Sequence, residues 1–245
     1  LVYDSASALP SRSRLDSRHL KINGLNLALS TIVTPEEKIL SINRCSWENE
    51  FGNIAMKNLS GDILLTKESV ELSMLSIQTA RSGALISARI DSVDIIGGFD
   101  TERLDEYPFA VTFDAPNVDL QDLQYFLPSL DILGGTASLE LRANGSLDEL
   151  SIKHLRLKAF ESDLSFSGEL HDILDGADMY IDVSSDGSVI NGSDIPIVLP
   201  GIPILDLSGM GKAQFNYLRF TGRPLDFHSE IDMTSEAGGI VGAID

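Results

Sequence analysis

One loop of this chain has the spacing of a calcium-binding loop but lacks the glutamate that such a loop needs. In DVSSDGSVINGS, Asp182, Ser184 and Asp186 take the first, third and fifth positions, and Gly187 takes the sixth. The twelfth position requires a bidentate Glu, and this chain has Ser193 there. Because the flanking residues alternate like strands, the pattern favours an acidic hairpin turn.

A second loop, SGMGKA, resembles a phosphate-binding loop in composition but not in spacing. Asp206 stands where the first glycine of such a loop would be, and Ala213 replaces the Ser or Thr that holds magnesium. We therefore expect Gly209 and Gly211 to be turn residues that precede a strand, KAQFNYLRF.

The other reactive side chains are dispersed. The four histidines show neither HxxxH nor HExxH spacing, and Cys45 is the single cysteine, which excludes an internal disulfide. The carboxylates are spread along polar strand faces, and no pair of them is singled out as a general acid and base. We predict no catalytic residue, no metal and no cofactor, and hence no enzyme; a glycosidase with paired carboxylates is the least favoured alternative.

The charge balance narrows the classes of partner. The 245 residues include 37 acidic and 18 basic side chains, a net charge of −19. Such a surface repels nucleic-acid phosphates and anionic lipid headgroups. The hydrophobic content of 43% is enough for a packed core and excludes wholesale disorder.

The first residues, LVYDSASALPSRSRLDSR, contain neither Met nor the apolar core of a signal peptide. We predict a flexible segment over residues 1–18. No run of about 18 apolar residues occurs that could span a membrane. The interpretation is a piece of a longer polypeptide whose anchor lies outside it.

Alternation of apolar and polar residues is the dominant pattern in the rest of the chain. In TASLELRANG, Leu139 and Leu141 point to one side, and Glu140 and Arg142 point to the other. Similar runs separated by turn residues continue from residue 19 to residue 245. They predict a mainly all-β protein built on a repetitive β-sheet, antiparallel or mixed.

Two stretches share a loose internal repeat, and a Gly-led strand precedes each of them. The spacing is identical in the two sets: Leu75, Ile77, Thr79, Ser82 and Leu155, Leu157, Ala159, Ser162. Repetitive β architecture and the general similarity of meandering sheets explain this equally well.

Two segments depart from the alternation. APNVDLQDLQYFLPSL has near-helical apolar spacing, which predicts a short amphipathic helix near 118–127, capped by Asn117 or Asp119 and stopped by Pro128. DIPIVLPGIPILDL contains three prolines, which exclude a central strand. We expect it to be an extended edge segment packed on the core, with an apolar lip over a groove as the alternative.

The order of helix, glycine and strands in the middle of the chain resembles the AsmA superfamily, and within it the large TamB-like proteins of bacterial envelopes. The similarity is one of pattern and covers most of residues 19–235. The residues that carry it are Asp122, Leu123, Phe126, Leu127, Pro128, Leu130, Gly135, Leu139, Leu141, Gly145, Leu147, Leu150, Ile152, Leu155, Leu157, Leu164, Phe166, Gly168 and Leu170.

This resemblance implies a long sheet curled into a taco-like apolar groove. It also implies a periplasmic location with an anchor in the inner membrane, and a role in moving phospholipids to the outer membrane and in outer-membrane assembly. The partners would be phospholipid acyl chains and a β-barrel assembly protein of the BamA or TamA kind. The family supplies no catalytic residues.

The sequence-based hypothesis is therefore a non-enzymatic groove segment, with edge strands that are also open to self-association. Its alternative is a closed β-sandwich or β-helix domain of a surface adhesion or scaffold protein, in which the apolar stripes would face one another. The candidates for lining a lipid groove are Leu139, Leu141, Leu155, Leu157, Leu164, Phe166 and Leu170.

Overall fold

The fold is known from a computed structural model, and it consists almost entirely of strands. The structure describes residues 2–4, 19–49, 55–93, 105–123, 134–173, 179–198, 208–223, 226–236 and 238–244. The strands are β1 Val2–Asp4, β2 His19–Val33, β3 Glu37–Asn49, β4 Met56–Thr66, β5 Ser69–Thr79, β6 Gly83–Asp91, β7 Phe109–Asp119, β8 Thr136–Gly145, β9 Glu149–Ala159, β10 Ser162–His171, β11 Tyr180–Ser185, β12 Val189–Asn191, β13 Lys212–Arg223, β14 Asp226–Ser235 and β15 Gly238–Ile244.

All fifteen strands belong to one antiparallel sheet. Each strand from β1 to β11 pairs with the next one along the chain, and β11, β13, β14 and β15 continue the series. The three-residue strand β12 lies beside this path and pairs with both β10 and β13. The prediction of an all-β sheet is confirmed, and the described strands are antiparallel rather than mixed. A sandwich of two sheets and a β-helix are not the architecture of these strands.

The pairing register keeps the two sides of the sheet chemically distinct. Residues paired directly across antiparallel strands project to the same face. Leu139 in β8 pairs with Leu157 in β9, which pairs with Leu164 in β10. On the opposite face, Arg156 pairs with Glu140 and with Ser165. Alternation in the sequence is thus converted into one apolar and one polar face.

Two short helices lie in the long connections on one side of the sheet, and we call that side the first rim. Helix α1 (Leu120–Leu123) follows β7, and helix α2 (Ile195–Val198) follows β12. Leu120 packs with Ala137 and Ala159 in a small buried cluster, and Leu157 of the apolar face contacts that cluster. Helix α1 is therefore packed against the end of the sheet.

Helix α1 begins later than the sequence predicts. Val118 is still part of β7 and is buried there, pairing with Ala137. Asp119 is the capping residue, because its carboxylate accepts the Gln121 N–H at 3.0 Å, whereas the Asn117 side chain donates to the Arg81 carbonyl. Residues 124–127 of the predicted helix lie outside the described residues.

Two further expectations agree with the structure only in part. Val2–Asp4 form β1, so the predicted flexible segment 1–18 includes a paired strand, and residues 5–18 lie outside the described residues. The proline-rich segment begins with helix α2 instead of an extended edge, because Pro196 in a first helical turn needs no N–H donor; residues 199–207 are outside the described part.

The two loops that the sequence singles out are turns between strands. Asp186 and Gly187 join β11 to β12, and Gly187 has a positive φ of 75°. Gly209 lies in a 3-10 turn, and Gly211 has a φ of 64° immediately before β13. The prediction of turn residues before β13 is confirmed. The prediction of a hairpin at Asp186 is wrong, because β11 and β12 are both antiparallel to β10 and to β13 and therefore run in the same direction.

We expect Gly168→Ala to destabilise the sheet by roughly 2–4 kcal/mol, because it combines backbone strain with overpacking. Gly168 has a φ of 151°, and a Cβ there would overlap the Asp182 carbonyl oxygen and lie 2.7 Å from the Val183 Cα. Urea unfolding followed by circular dichroism measures the change. Gly83→Ala is the control, since a Cβ at Gly83 meets no atom within 4 Å; equal effects of the two variants would contradict the close approach.

Candidate functional site

The candidate site is the apolar face of the sheet, which is best developed on β8, β9 and β10. Leu141 pairs with Leu155, and Leu155 pairs with Phe166 in the next strand. Leu170 follows on the same face of β10, paired with Leu150. These side chains are half-buried: their flanks contact neighbouring strands while their ends stay accessible.

The structure brings the sequence-predicted groove residues together on this one face. Each of them pairs with another apolar residue of the face, and each is half-buried rather than enclosed. The seven residues are Leu139, Leu141, Leu155, Leu157, Leu164, Phe166 and Leu170. They form a contiguous patch three strands wide.

The apolar face extends in both directions beyond this patch. Phe113 in β7 pairs with Leu141 and with Ile86 in β6, and Ile86 pairs with Leu75 in β5. Towards β15, Leu170 pairs with Ile181 in β11. The same face includes Leu29, Leu40, Ile42, Leu59, Ile63, Leu72, Ile77, Val111, Val183, Leu218, Phe220, Phe227, Ile231 and Met233.

β-bulges keep this face continuous where the sequence pattern changes phase. Along β9 the apolar residues are Leu150 and Ile152, and then Leu155 and Leu157, so the alternation slips by one position. The pairing register between β8 and β9 shifts at the same place: Ile152 pairs with Ala143, and Leu155 pairs with Leu141. The phase change was visible in the sequence as a signal of a bulge, and sequence reasoning missed it.

Most completely buried residues of the face are small. Ala115, Ala137, Ala143 and Ala213 are each at most 5% exposed, whereas the leucines and phenylalanines beside them keep accessible surface. In a sheet packed against a second layer, the large side chains would be the buried ones. Much of the large apolar surface is therefore still available for contact.

The polar face is held by ion pairs that cross between neighbouring strands. Arg156 donates two hydrogen bonds to Asp163, at 2.7 and 2.6 Å, and Arg219 donates two to Asp182, at 3.2 and 3.0 Å. The hydrogen bond from Arg156 lowers the pKa of the Asp163 carboxyl below its usual value. His154 lies on this face, and its Nε2 is 3.8 Å from Oε2 of Glu140. The face is suited to contact with water.

A buried carboxylate lies at the first rim, beside the turn between β5 and β6. Asp122 of α1 is 8% exposed and accepts hydrogen bonds from the Ser82 hydroxyl at 2.7 Å and the Thr79 hydroxyl at 3.1 Å. Arg81 forms an ion pair with the same carboxylate. Ser82 also accepts the Asp119 N–H at 2.9 Å. This network ties the β5–β6 turn to the beginning of α1.

The same network occurs a second time beside β10. Asp194, 6% exposed, accepts from the Ser162 hydroxyl at 2.7 Å and from the Glu161 N–H at 3.0 Å. Ser162 accepts the Asn191 N–H at 2.9 Å, and Asn191 in turn accepts the Ser193 N–H at 3.0 Å.

The two networks give the internal repeat a physical basis. The shared serines are Ser82 and Ser162, and each binds an aspartate that precedes or lies within a short helix. The aspartates were absent from the repeat that the sequence showed, because they are 40 and 32 residues away from their serines.

Helix α2 covers part of the apolar face and leaves a small cavity beneath it. The cavity has a volume of about 120 Å³ and is lined by apolar residues of β9, β10 and β12 together with Ile195. Leu157 and Leu164, two of the predicted groove residues, form its floor. The face is thus more enclosed at this rim than in the middle of the sheet.

We expect Ser162→Ala to destabilise the protein by about 2–3 kcal/mol, because it removes one of the two hydrogen bonds to the buried Asp194 carboxylate and leaves the Asn191 N–H without its acceptor. Chemical denaturation measures the loss. Ser193→Ala is the matched control, since Ser193 is exposed one turn away. A loss of stability no larger than that of the control would show that the network is dispensable.

At the opposite rim, four carboxylates meet at the β8–β9 turn. Partial desolvation, together with the charges of Asp105, Asp172 and Glu106, raises the pKa of the Asp148 carboxyl. A raised pKa in the folded state means that the ionised carboxylate disfavours folding, and this cost disappears as the pH falls through that pKa.

We therefore expect Asp148→Asn to raise the melting temperature at pH 7, and the gain to vanish below about pH 3, where both states are protonated. Thermal unfolding across this pH range gives the measurement. Asp186→Asn, in an exposed turn, serves as the control. A gain that persists at low pH would exclude charge repulsion as its cause.

No protein-family model, no curated protein and no solved structure matches this chain at significant similarity. Within the described residues, no helix is long and apolar enough to cross a membrane. In the same part of the chain, no three His, Cys, Asp or Glu side chains are grouped so that they could hold a metal ion.

Proposed function

We propose that the apolar face binds lipid acyl chains and that the protein is a non-enzymatic lipid carrier or conduit. One observation carries the proposal: a continuous apolar face runs across a single sheet, and its large side chains remain half-exposed. The seven residues from Leu139 to Leu170 that the sequence singles out are the proposed contact surface for the acyl chains.

The energetics favour a hydrocarbon ligand over water on this face. Burial of apolar surface contributes roughly 25 cal/mol per Å², or about 0.8 kcal/mol for each methylene. An acyl chain is flexible and has no polar groups, so it can follow a face of leucine, isoleucine and phenylalanine without leaving a hydrogen bond unmade. A polar metabolite would lose its hydration and find no partner there.

The extent of the face suits movement along it. Fourteen strands follow one another in the main path of the sheet. At about 4.8 Å per strand, the face extends roughly 60 Å in the stacking direction. An acyl chain could therefore occupy successive positions of similar chemistry, which supports transport rather than storage in one closed pocket.

The cellular setting that we propose rests on the resemblance to AsmA and TamB-like proteins. In that setting the chain is a periplasmic segment whose inner-membrane anchor lies outside the 245 residues. It carries phospholipids towards the outer membrane and supports outer-membrane assembly beside a β-barrel assembly protein. The net charge of −19 supports this arrangement, since it keeps the polar face away from anionic headgroups.

We expect Phe166→Glu to weaken acyl-chain binding by at least about tenfold, because it places a charge beside hydrocarbon. Binding of a fluorescent fatty acid to the purified chain measures the affinity, and circular dichroism verifies the fold. Ser167→Glu is the matched control: it adds the same charge one residue away, on the exposed polar face.

Photo-crosslinkers distinguish lipid from protein as the occupant in cells. Lipid adducts are expected from a crosslinker at Leu157 or Leu141, and none from one at Arg156, which faces the other side. Protein adducts alone at the apolar positions would reject the lipid proposal and favour a scaffold role for the face.

A further inference from the structure

The cavity beneath α2 is more enclosed than the open part of the apolar face. Its volume is about 120 Å³, and five of its lining residues are apolar: Leu157, Ala159, Leu164, Ile190 and Ile195. An apolar cavity of about 150 Å³ stays dry and takes up a benzene molecule. On that scale, the cavity beneath α2 has room for roughly four or five carbon atoms.

Two polar side chains, Ser162 and Asp194, complete the wall, and both are engaged in hydrogen bonds within the protein. The Ser162 hydroxyl donates to Asp194 at 2.7 Å and accepts the Asn191 N–H at 2.9 Å. The Asp194 carboxylate also accepts the Glu161 N–H at 3.0 Å. A buried water needs several polar partners, and here it would have to compete with these bonds. The cavity is therefore suited to hydrocarbon rather than to water or a polar ligand.

The roof of the cavity is held in place by the backbone around α2. The Asp194 N–H donates to the Asn191 carbonyl at 2.9 Å, and the Ile197 N–H donates to the Asp194 carbonyl at 3.0 Å. Before the helix, the Gly192 N–H donates to the Gly211 carbonyl at 3.0 Å, which fastens this segment to the beginning of β13. The cavity is consequently preformed, and a ligand that enters it does not have to order the helix first.

We propose that this cavity receives the methyl end of an acyl chain whose remaining length lies on the open apolar face, a site that rests on the acyl-chain binding proposed for that face. Leu157 and Leu164 belong both to the floor of the cavity and to the seven groove residues. A chain on the face therefore reaches the space beneath α2 along a continuous apolar surface. The cavity is an anchoring point on the path of the chain.

The chemistry of the wall fixes the orientation of the bound chain. A carboxylate or phosphate headgroup inside the cavity would lose its hydration and would meet the like charge of the Asp194 carboxylate. The methyl end has neither charge nor hydrogen-bonding groups, and each methylene that becomes buried raises the affinity roughly fourfold. The headgroup therefore stays outside the cavity, in contact with water.

The matching position beside α1 is packed differently. The N–H that the network serine accepts belongs to Asp119 beside α1 and to Asn191 beside α2. The residues that precede them, Val118 and Ile190, therefore occupy equivalent places. Val118 is 3% exposed, whereas Ile190 is half-buried and lines the cavity. The free apolar surface at this place is a feature of the α2 copy of the repeat.

The first test compares hexadecanoate with hexadecanedioate, which has a carboxylate at both ends of the same chain. Competition against a fluorescent fatty acid on the 245-residue chain measures both dissociation constants. We expect the wild type to prefer the monoacid at least about thirtyfold, because a second carboxylate would be desolvated inside the cavity. Ile195→Phe fills the cavity and should reduce this preference at least about tenfold, since the chain end then lies on the open face and reaches water.

Ile197→Phe is the matched control, because it makes the same change in the same helix at a side chain that is 46% exposed and does not line the cavity. It should retain the preference of the wild type, as should Ile195→Ala, which enlarges the cavity. Circular dichroism verifies the fold of each variant. An equal preference in the wild type and Ile195→Phe would overturn the cavity site and leave acyl-chain binding on the face intact. If hexadecanoate does not bind at all, the proposed function is overturned and the cavity site with it.

A second test reads the position of the chain end directly and needs no variant. A hexadecanoate analogue with a diazirine next to its methyl end should label Leu164, Ile190 or Ile195 on irradiation. An analogue with the diazirine beside the carboxylate should label none of the three. Peptide mass spectrometry locates the adducts. Equal labelling of these residues by both analogues, or adducts of the first analogue confined to residues outside the cavity, would overturn the proposed orientation and site.

Discussion

Cross-strand register is the constraint on which the rest of this structure depends. A shift of one residue in any strand would move its apolar side chains to the opposite face, so fifteen strands must all keep the same phase. The bulges between Phe166 and Gly168 and between Arg142 and Ala143 correct that phase where the sequence slips. Close backbone contact at Gly168, which only a glycine permits, belongs to the same correction.

A single sheet with one apolar face does not bury that face by itself. The described strands bury mainly alanines and a few larger residues such as Ile152 and Val118, and most leucines of the face keep accessible surface. Apolar surface of this extent costs free energy in water, and it marks interaction sites in folded proteins. The binding function that we propose follows from this exposed apolar surface. A bound acyl chain would cover the apolar face in the way that a second layer of protein covers it in other folds.

The sequence predicts the parts of this fold that are local, and it misses those that join distant residues. Alternation at Leu139, Leu141, Leu155 and Leu157 is sufficient to predict strands and their common face, because side chains in a strand repeat every second residue. The Ser82–Asp122 and Ser162–Asp194 hydrogen bonds could not be predicted, since no local pattern connects residues that far apart. The site is likewise only half predictable: its residues are visible in the sequence, but their occupant is not.

The helical turns at Leu120 and Ile195 show how tertiary context decides short elements. The near-helical spacing from Val118 onwards predicts too early a start for α1, because Val118 gains more from pairing with Ala137 in the sheet than from a helical turn. In the proline-rich segment the opposite occurs, since Asp194 binds Ser162 and fixes the beginning of a turn in which Pro196 is tolerated. In both places a contact made outside the helix, by Val118 in the one and by Asp194 in the other, decides where the strand gives way to helix.

The rims of the sheet set the width of the apolar face, and the number of strands sets its length. At the first rim, buried carboxylates and short helices satisfy the turns and limit that width. Along the stacking direction, each strand continues the face of its neighbour, because apolar residues pair with apolar residues, as Leu139 does with Leu157 and Leu157 with Leu164. A surface of constant width and similar chemistry along its length suits an acyl chain that moves along it. The transport that we propose therefore depends on the same register that keeps the two faces distinct.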